Sequence, residues 1–148
     1  MERFTRKLAL LNIPVYGIDD ESEILKIALR FMKNNVRECD ENAFKINKVP
    51  AGSIEPHKTI NNCNELVLFE ALLGVDESSI IFLDQRFLYY KTASCLPFSI
   101  LIHESNIVEN IEVALHRISS RSSYYSYPLH IVRPKELSDL NQVFILNV

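Results

Sequence analysis

Residues 12–35, NIPVYGIDDESEILKIALRFMKNN, carry the pattern that indicates the fold class of this protein. Apolar residues dominate positions 12–18, which predicts a short strand, and that strand ends in the acidic pair Asp19 and Asp20. From residue 21 onward apolar side chains recur at helical spacing, and they form the broad stripe of a packed amphipathic helix. A strand followed directly by a helix is the repeating unit of α/β folds, so we predict an α/β protein.

The rest of the chain continues this alternation of strands and helices. Further strands are predicted around Phe44 and Ile46 and at residues 79–83, 98–102 and 129–132, and further helices at residues 61–73, 87–94 and 106–118. Residues 79–83, SIIFL, are almost continuously apolar, which is typical of a central parallel strand covered on both faces. Strands joined by helices predict a parallel sheet, and we expect a single domain over residues 1–148.

Composition narrows the class of protein further. The chain has 148 residues, of which 47% are hydrophobic and 24% charged, and this is the balance of a globular domain. Its formal net charge of −3 argues against nucleic-acid binding as the main function, because phosphate binding requires a basic excess. No long apolar run is present and the N-terminus does not resemble a signal peptide, so we expect no membrane span and a cytoplasmic location.

Cysteine and glycine usage excludes several common cofactor motifs. The spacings of Cys39, Cys63 and Cys95 match neither a zinc module nor a disulfide framework, which favours buried reduced thiols. The chain contains only 3 glycines, and neither GxGxxG nor the P-loop pattern can be written with them. These two routes to nucleotide binding are therefore excluded.

Acidic residues at the ends of predicted strands are the strongest candidates for a functional site. Asp19 and Asp20 follow the first strand, and Asp84 follows the strand at residues 79–83. Because ligands of parallel sheets bind at the carboxyl ends of the strands, we expect these three carboxylates to converge. Converging carboxylates repel one another unless a hard cation such as Mg²⁺ neutralises them. The alternative is that Asp19 and Asp20 cap the helix that follows and Asp84 is an ordinary strand-end residue.

Three segments resemble response-regulator receiver domains: VYGIDDESEILKIALRFMKNN at residues 15–35, SIIFLDQR at residues 79–86 and HIVRPKELSDL at residues 130–140. The resemblance implies a flavodoxin-like three-layer sandwich, with a five-stranded parallel sheet in the order 2-1-3-4-5, and a signalling function. It implies that Asp84 accepts a phosphoryl group, that Asp19, Asp20 and Asp84 hold Mg²⁺, and that Arg133 contacts the phosphoryl oxygens.

The same segments differ from the receiver pattern at several positions. The distance along the chain from Asp20 to Asp84 implies an insertion within residues 37–59. His103 stands where receivers have the switch Ser or Thr, His130 at the aromatic partner position, and Arg133 in place of the lysine. The resemblance therefore implies a divergent or pseudo-receiver that acts by protein–protein interaction, with a protein partner that can be a second copy of the chain.

Two families of metal-dependent hydrolases offer alternative interpretations. LGVDESSIIFLDQ at residues 73–85 also resembles the last acidic motif of haloacid-dehalogenase-like phosphatases, with the acidic residues 19–21 near the position of their nucleophile. NELVLFEALLG at residues 64–74, followed by the segment around Asp84, resembles PIN-type nucleases and places Glu65 and Asp84 as metal ligands. Both alternatives use strand-end carboxylates, so they share the prediction of a metal site at one edge of the sheet.

Overall fold

The described part of the chain contains two β-sheets with helices packed against them. The computed structural model describes residues 2–35, 45–51, 65–93, 99–121, 128–137 and 142–147. The strands are β1 Val15–Ile18, β2 Lys45–Val49, β3 Glu65–Glu70, β4 Leu73–Val75, β5 Ile81–Asp84, β6 Ser99–His103, β7 Ile107–Val108, β8 Leu129–Val132 and β9 Gln142–Leu146. The helices are α1 Glu2–Leu10, α2 Ser22–Asn35, α3 Arg86–Ala93 and α4 Ile111–Arg121.

The first sheet has five strands, all parallel, in the order β1-β9-β6-β3-β2. The prediction of an α/β fold with a five-stranded parallel sheet is confirmed, but the predicted order 2-1-3-4-5 is wrong. The first strand lies at an edge with the last strand beside it, and the second strand forms the opposite edge. The order differs because two predicted strands, at residues 79–83 and 129–132, belong to another sheet, and β3 and β9 take places in this one.

The second sheet has four strands in the order β7-β4-β5-β8. β5 pairs antiparallel with both β4 and β8, so the prediction of a central parallel strand at residues 79–83 is wrong. The apolar run arises because β5 is buried on both faces: Ile81 and Leu83 enter one core cluster, and Phe82 enters another. Burial on both faces produces such a run in an antiparallel sheet as well, and the sequence pattern does not distinguish the two cases.

The helix predicted at residues 61–73 is also wrong over the described part of that range. Residues 65–70 form β3 and residues 73–75 form β4, while residues 61–64 lie outside the described part of the chain. Val67 and Phe69 point to the core between the sheets, and Leu68 points to the opposite face of the first sheet. A strand with apolar residues on both faces also has apolar residues at helical spacing. The hydrophobic pattern of this segment therefore fits either a strand or a helix.

Other predicted elements agree with the structure within a few residues. The strands at residues 12–18 and 98–102 and the helices that start near residues 21 and 87 correspond to β1, β6, α2 and α3. The helix predicted at residues 106–118 begins later, because residues 107–108 form β7 and α4 starts at Ile111. Phe44, the three cysteines and most of the proposed insertion at residues 37–59 lie outside the described residues.

The core clusters show which helices and sheets pack against each other. α2 packs on the outer face of the parallel sheet, where Ile24 meets Leu101 and Phe144. The inner face meets the second sheet and α1, whose Phe4 and Leu8 are fully buried. α4 covers the far face of the second sheet through Ala114. This arrangement leaves the carboxyl ends of β1, β3 and β6 at one edge of the parallel sheet, beside the N-terminus of α2.

Candidate functional site

Four side chains meet at the carboxyl edge of the parallel sheet, and we call them the carboxyl-edge cluster: Glu21, Lys48, Glu70 and His103. Glu21 immediately precedes α2, while Glu70 and His103 are the last residues of β3 and β6. Glu21, Glu70 and His103 each place one potential metal-ligand atom within 4.8 Å of the other two. β3 and β6 are neighbouring parallel strands that both end at this edge, where Glu70 is in register with Leu101 and His103 lies two residues further along β6.

Lys48 lies between the two carboxylates of the cluster. Its Nζ is 2.6 Å from Glu21 Oε1 and 3.2 Å from Glu70 Oε2. Partial burial lowers the pKa of Lys48, but the hydrogen bonds and charges of Glu21 and Glu70 outweigh this effect, so the pKa is raised overall. Lys48 therefore remains protonated and offsets one of the two negative charges.

Glu70 connects the members of the cluster. Its Oε1 accepts a hydrogen bond from the Ala51 backbone amide at 3.3 Å, and its Oε2 lies 3.6 Å from His103 Nε2. The Glu70 side chain is 17% exposed, and those of Glu21, Lys48 and His103 are between 32% and 41% exposed. A carboxylate beside an imidazole can hold a cation or pass a proton, and the partial exposure leaves the cluster accessible to a ligand.

The Asp20 side chain caps the N-terminus of α2, and Asp19 lies beside it. Asp20 Oδ1 accepts a hydrogen bond from the Ser22 amide at 2.9 Å, and this bond lowers the pKa of Asp20. Glu23 Oε2 accepts hydrogen bonds from the amides of Asp19 and Asp20, at 2.9 and 3.2 Å. This reciprocal arrangement satisfies amides at the start of the helix. The capping alternative considered from the sequence accounts for Asp20, whereas Asp19 takes part only through its backbone amide.

Asp84 lies at the end of β5 in the second sheet, and it is 5% exposed. Its carboxylate is bound in two places by Arg86, with Oδ2 2.7 Å from Nη2 and Oδ1 3.0 Å from Nε. The structure does not bring Asp84 together with Asp19 and Asp20, since the metal-ligand group found among the described residues is Glu21, Glu70 and His103. The three carboxylates were expected to converge because the strand that ends at Asp84 was predicted to belong to the parallel sheet. Instead β5 is antiparallel to both of its neighbours in the second sheet.

Arg133 lies far from Asp84 along the antiparallel pair β5–β8. Asp84 pairs with Leu129 and Ile81 pairs with Val132, so Arg133, which follows Val132, lies at the opposite end of β5. A parallel pairing would have placed the ends of both strands at one edge. His130 lies on β8, where its ring stacks on Phe87 at a centroid distance of 5.7 Å.

The structure also separates the two residues that the PIN-type interpretation proposed as metal ligands. Glu65 begins β3 in the first sheet, and Asp84 ends β5 in the second. The residue of this segment that reaches the carboxyl edge is Glu70, at the other end of β3. Sequence analysis missed Glu70 because it assigned residues 61–73 to a helix. Recognition of ELVLFE as a strand would have placed its final acidic residue beside the other strand ends.

Comparison with known proteins identifies a similar fold but no family for this chain. No protein-family model matches the sequence, and no curated protein matches it. A crystal structure of a DUF162 family protein from Deinococcus radiodurans matches with a TM-score of 0.59 and 15% sequence identity, covering 99% of this chain and 95% of that one. At this identity the match supports the α/β fold alone. Over the described residues, no helix is long and apolar enough to cross a membrane.

Proposed function

We propose that the carboxyl-edge cluster binds a divalent cation and that the protein is a metal-dependent hydrolase. The observation that carries the proposal is that Glu21, Glu70 and His103 place three ligand atoms within 4.8 Å of one another at this edge. Ligands of open α/β sheets bind at the carboxyl edge. The proposal keeps the location expected from the sequence, which is the carboxyl ends of the strands. It assigns the metal to different residues there.

The ligand set favours a particular kind of cation. Two carboxylates and one imidazole suit Mn²⁺ or Zn²⁺ better than Mg²⁺, which prefers oxygen ligands and retained waters. Three protein ligands leave coordination positions for water and for a substrate oxygen. A cation bound there would lower the pKa of its water and supply a nucleophile near neutral pH.

Lys48 gives the proposed site a second function. Its ammonium is now the counterion of Glu21 and Glu70. A divalent cation carries twice the charge and would compete for the same carboxylate oxygens. Once displaced, the ammonium of Lys48 would lie beside the cation, where it can pair with an anionic oxygen of the substrate. This pairing favours anionic substrates, and phosphate esters are the class shared by both hydrolase families considered from the sequence.

The hydrolase proposal predicts metal-dependent cleavage of model phosphate esters. We expect wild-type protein with Mn²⁺ or Zn²⁺ to hydrolyse p-nitrophenyl phosphate or bis-p-nitrophenyl phosphate, measured by the absorbance of released nitrophenolate. Glu70→Gln should lower the rate by about a hundredfold, because it removes the charged ligand that connects the cluster. Glu77→Gln, which changes an exposed carboxylate elsewhere, is the matched control. Absence of turnover with a cation shown to bind, or turnover independent of Glu70, would contradict the proposal.

A regulatory interaction module is a second candidate, supported by the outer surface of α4. Ile111 and Leu115, which lie one turn apart on the same side of α4, are 38% and 50% exposed. Exposed apolar side chains on one helix favour contact with a partner. This is the function implied by the receiver resemblance, with a second copy of the chain as the partner.

The interaction candidate predicts a homodimer that depends on α4. Sedimentation equilibrium should give a dimer for the wild type, and Leu115→Glu should weaken dimerisation at least about tenfold by burying a charge at the interface. Leu10→Glu is the control, because Leu10 is an exposed apolar residue on a different helix. A monomer at all concentrations tested would eliminate this candidate.

A further inference from the structure

A second site is indicated by a cleft at the end of the four-stranded sheet. The cleft has a volume of about 350 Å³ and lies between the end of α1, the turn before β5 and the segment that follows β8. Its lining residues are Lys7, Leu11, Ser78, Ile80, Arg133, Pro134 and Lys135. The volume falls in the range of small-molecule sites. None of these residues belongs to the carboxyl-edge cluster.

The lining surface is mostly apolar, and three cationic residues contribute to it. Leu11, Ile80 and Pro134 supply the apolar part, and the cationic side chains are those of Lys7, Arg133 and Lys135. None of the described residues that line the cleft is acidic, although the whole chain carries a net charge of −3. Lys7, Arg133 and Lys135 are exposed, so their flexible charged ends can pair with an anion held at the mouth of the cleft.

The walls of the cleft are held by buried contacts. α1 is anchored by Phe4, which is fully buried, and the Ser79 hydroxyl donates a hydrogen bond to the Phe4 carbonyl at 2.9 Å. Asp76 Oδ1 accepts the Phe4 amide at 3.0 Å, which attaches the start of α1 to the loop before β5. On the other side Pro134 is buried and begins a 3₁₀ turn, Pro134–Glu136. A cleft with fixed walls loses little conformational entropy when it binds a ligand.

We infer that this cleft binds a small organic oxyanion with an apolar body, namely a carboxylate or phosphate monoester attached to a hydrocarbon or aromatic group. The oxyanion pairs with Arg133 and the two lysines, and the guanidinium can hold two oxygens at once. The apolar body packs against Leu11 and Ile80. This requirement for both parts distinguishes the ligand from a free inorganic anion and from a neutral apolar molecule.

The inference is tested by NMR titration of ¹⁵N-labelled protein with phenyl phosphate, benzoate, phenol and inorganic phosphate. EDTA is present throughout, so that the result does not depend on the proposed metal site. We expect saturable shifts of the amides at residues 7–11, 78–80, 133 and 135 with phenyl phosphate or benzoate, and affinities at least about tenfold weaker for phenol and inorganic phosphate. The tighter of the first two probes identifies whether the natural head group is a phosphate or a carboxylate.

Substitutions separate specific binding from general attraction to a charged surface. Arg133→Gln should weaken binding of the preferred probe at least about tenfold, and Arg30→Gln, which removes an exposed arginine on α2, should leave it unchanged. Lys7→Gln is a second test, because Lys7 is exposed and its loss is not expected to disturb folding. The inference is overturned if neither aromatic anion binds saturably, or if binding is the same in wild type, Arg133→Gln and Lys7→Gln.

Discussion

Replacement of Asp84 by Asn is expected to lower the free energy of unfolding by about 3–5 kcal/mol. The Asp84 and Arg86 side chains are 6% and 2% exposed, and the carboxylate forms two close contacts with the guanidinium. The guanidinium also donates a hydrogen bond to the Pro50 carbonyl at 3.0 Å, so the pair connects β5 to the segment after β2. Loss of the carboxylate charge would remove the charge partner of two close contacts made by this buried guanidinium.

Urea unfolding followed by circular dichroism measures this effect. Asp19→Asn, at an exposed position, is the control and should change stability by no more than about 0.5 kcal/mol. The double variant Asp84→Leu with Arg86→Met should recover much of the loss, because replacement of a buried pair by apolar residues is often neutral. A change below about 1 kcal/mol for Asp84→Asn would show that the pair is not the structural contact described here.

The second large effect concerns the affinity of the carboxyl-edge cluster for a divalent cation. Glu70→Gln should weaken Mn²⁺ binding by about a hundredfold, which corresponds to about 2.8 kcal/mol. Lys48→Met should have the opposite effect and strengthen binding by about tenfold, because it removes the ammonium that competes for Glu21 and Glu70. Opposite changes from two neighbouring residues are a specific signature of a cation held between the carboxylates.

Isothermal titration calorimetry with MnCl₂ gives both affinities directly. Circular dichroism first confirms that each variant is folded, and Glu77→Gln serves as the control for general loss of negative charge. If Lys48→Met binds Mn²⁺ no better than wild type, the ammonium does not occupy the cation position. If Glu70→Gln binds as well as wild type, the cation binds elsewhere.

The elements that were predicted well from the sequence are those whose apolar residues fit one type of secondary structure only. α2 has a single apolar stripe, which packs on the sheet through Ile24, and β6 is a short apolar run between polar residues. The helix predicted in place of β3 and the parallel pairing predicted for β5 are wrong because both strands are buried on two faces. Their patterns contain the spacing of a helix or of a parallel strand, and only the pairing partners decide between these possibilities.

Only part of the candidate site could be predicted from the sequence. The principle that acidic residues at strand ends mark a functional edge identified the loop of residues 19–21, and Glu21 belongs to the cluster. The choice of the second carboxylate failed, because Asp84 ends an antiparallel strand and Glu70 lies in a segment assigned to a helix. Glu21 follows β1 and Lys48 lies on β2, and these strands form opposite edges of the parallel sheet. Nothing in the local sequence indicates that the two side chains are in contact.

An anomalous difference map from crystals of the wild-type protein grown with MnCl₂ tests the proposed metal site directly. We expect a peak between the side chains of Glu21, Glu70 and His103, with the ammonium of Lys48 moved away from the two carboxylates. Absence of a peak at this edge, with Lys48 still paired to Glu21 and Glu70, would show that the cluster is a self-contained ion-pair network and would contradict the proposed metal site.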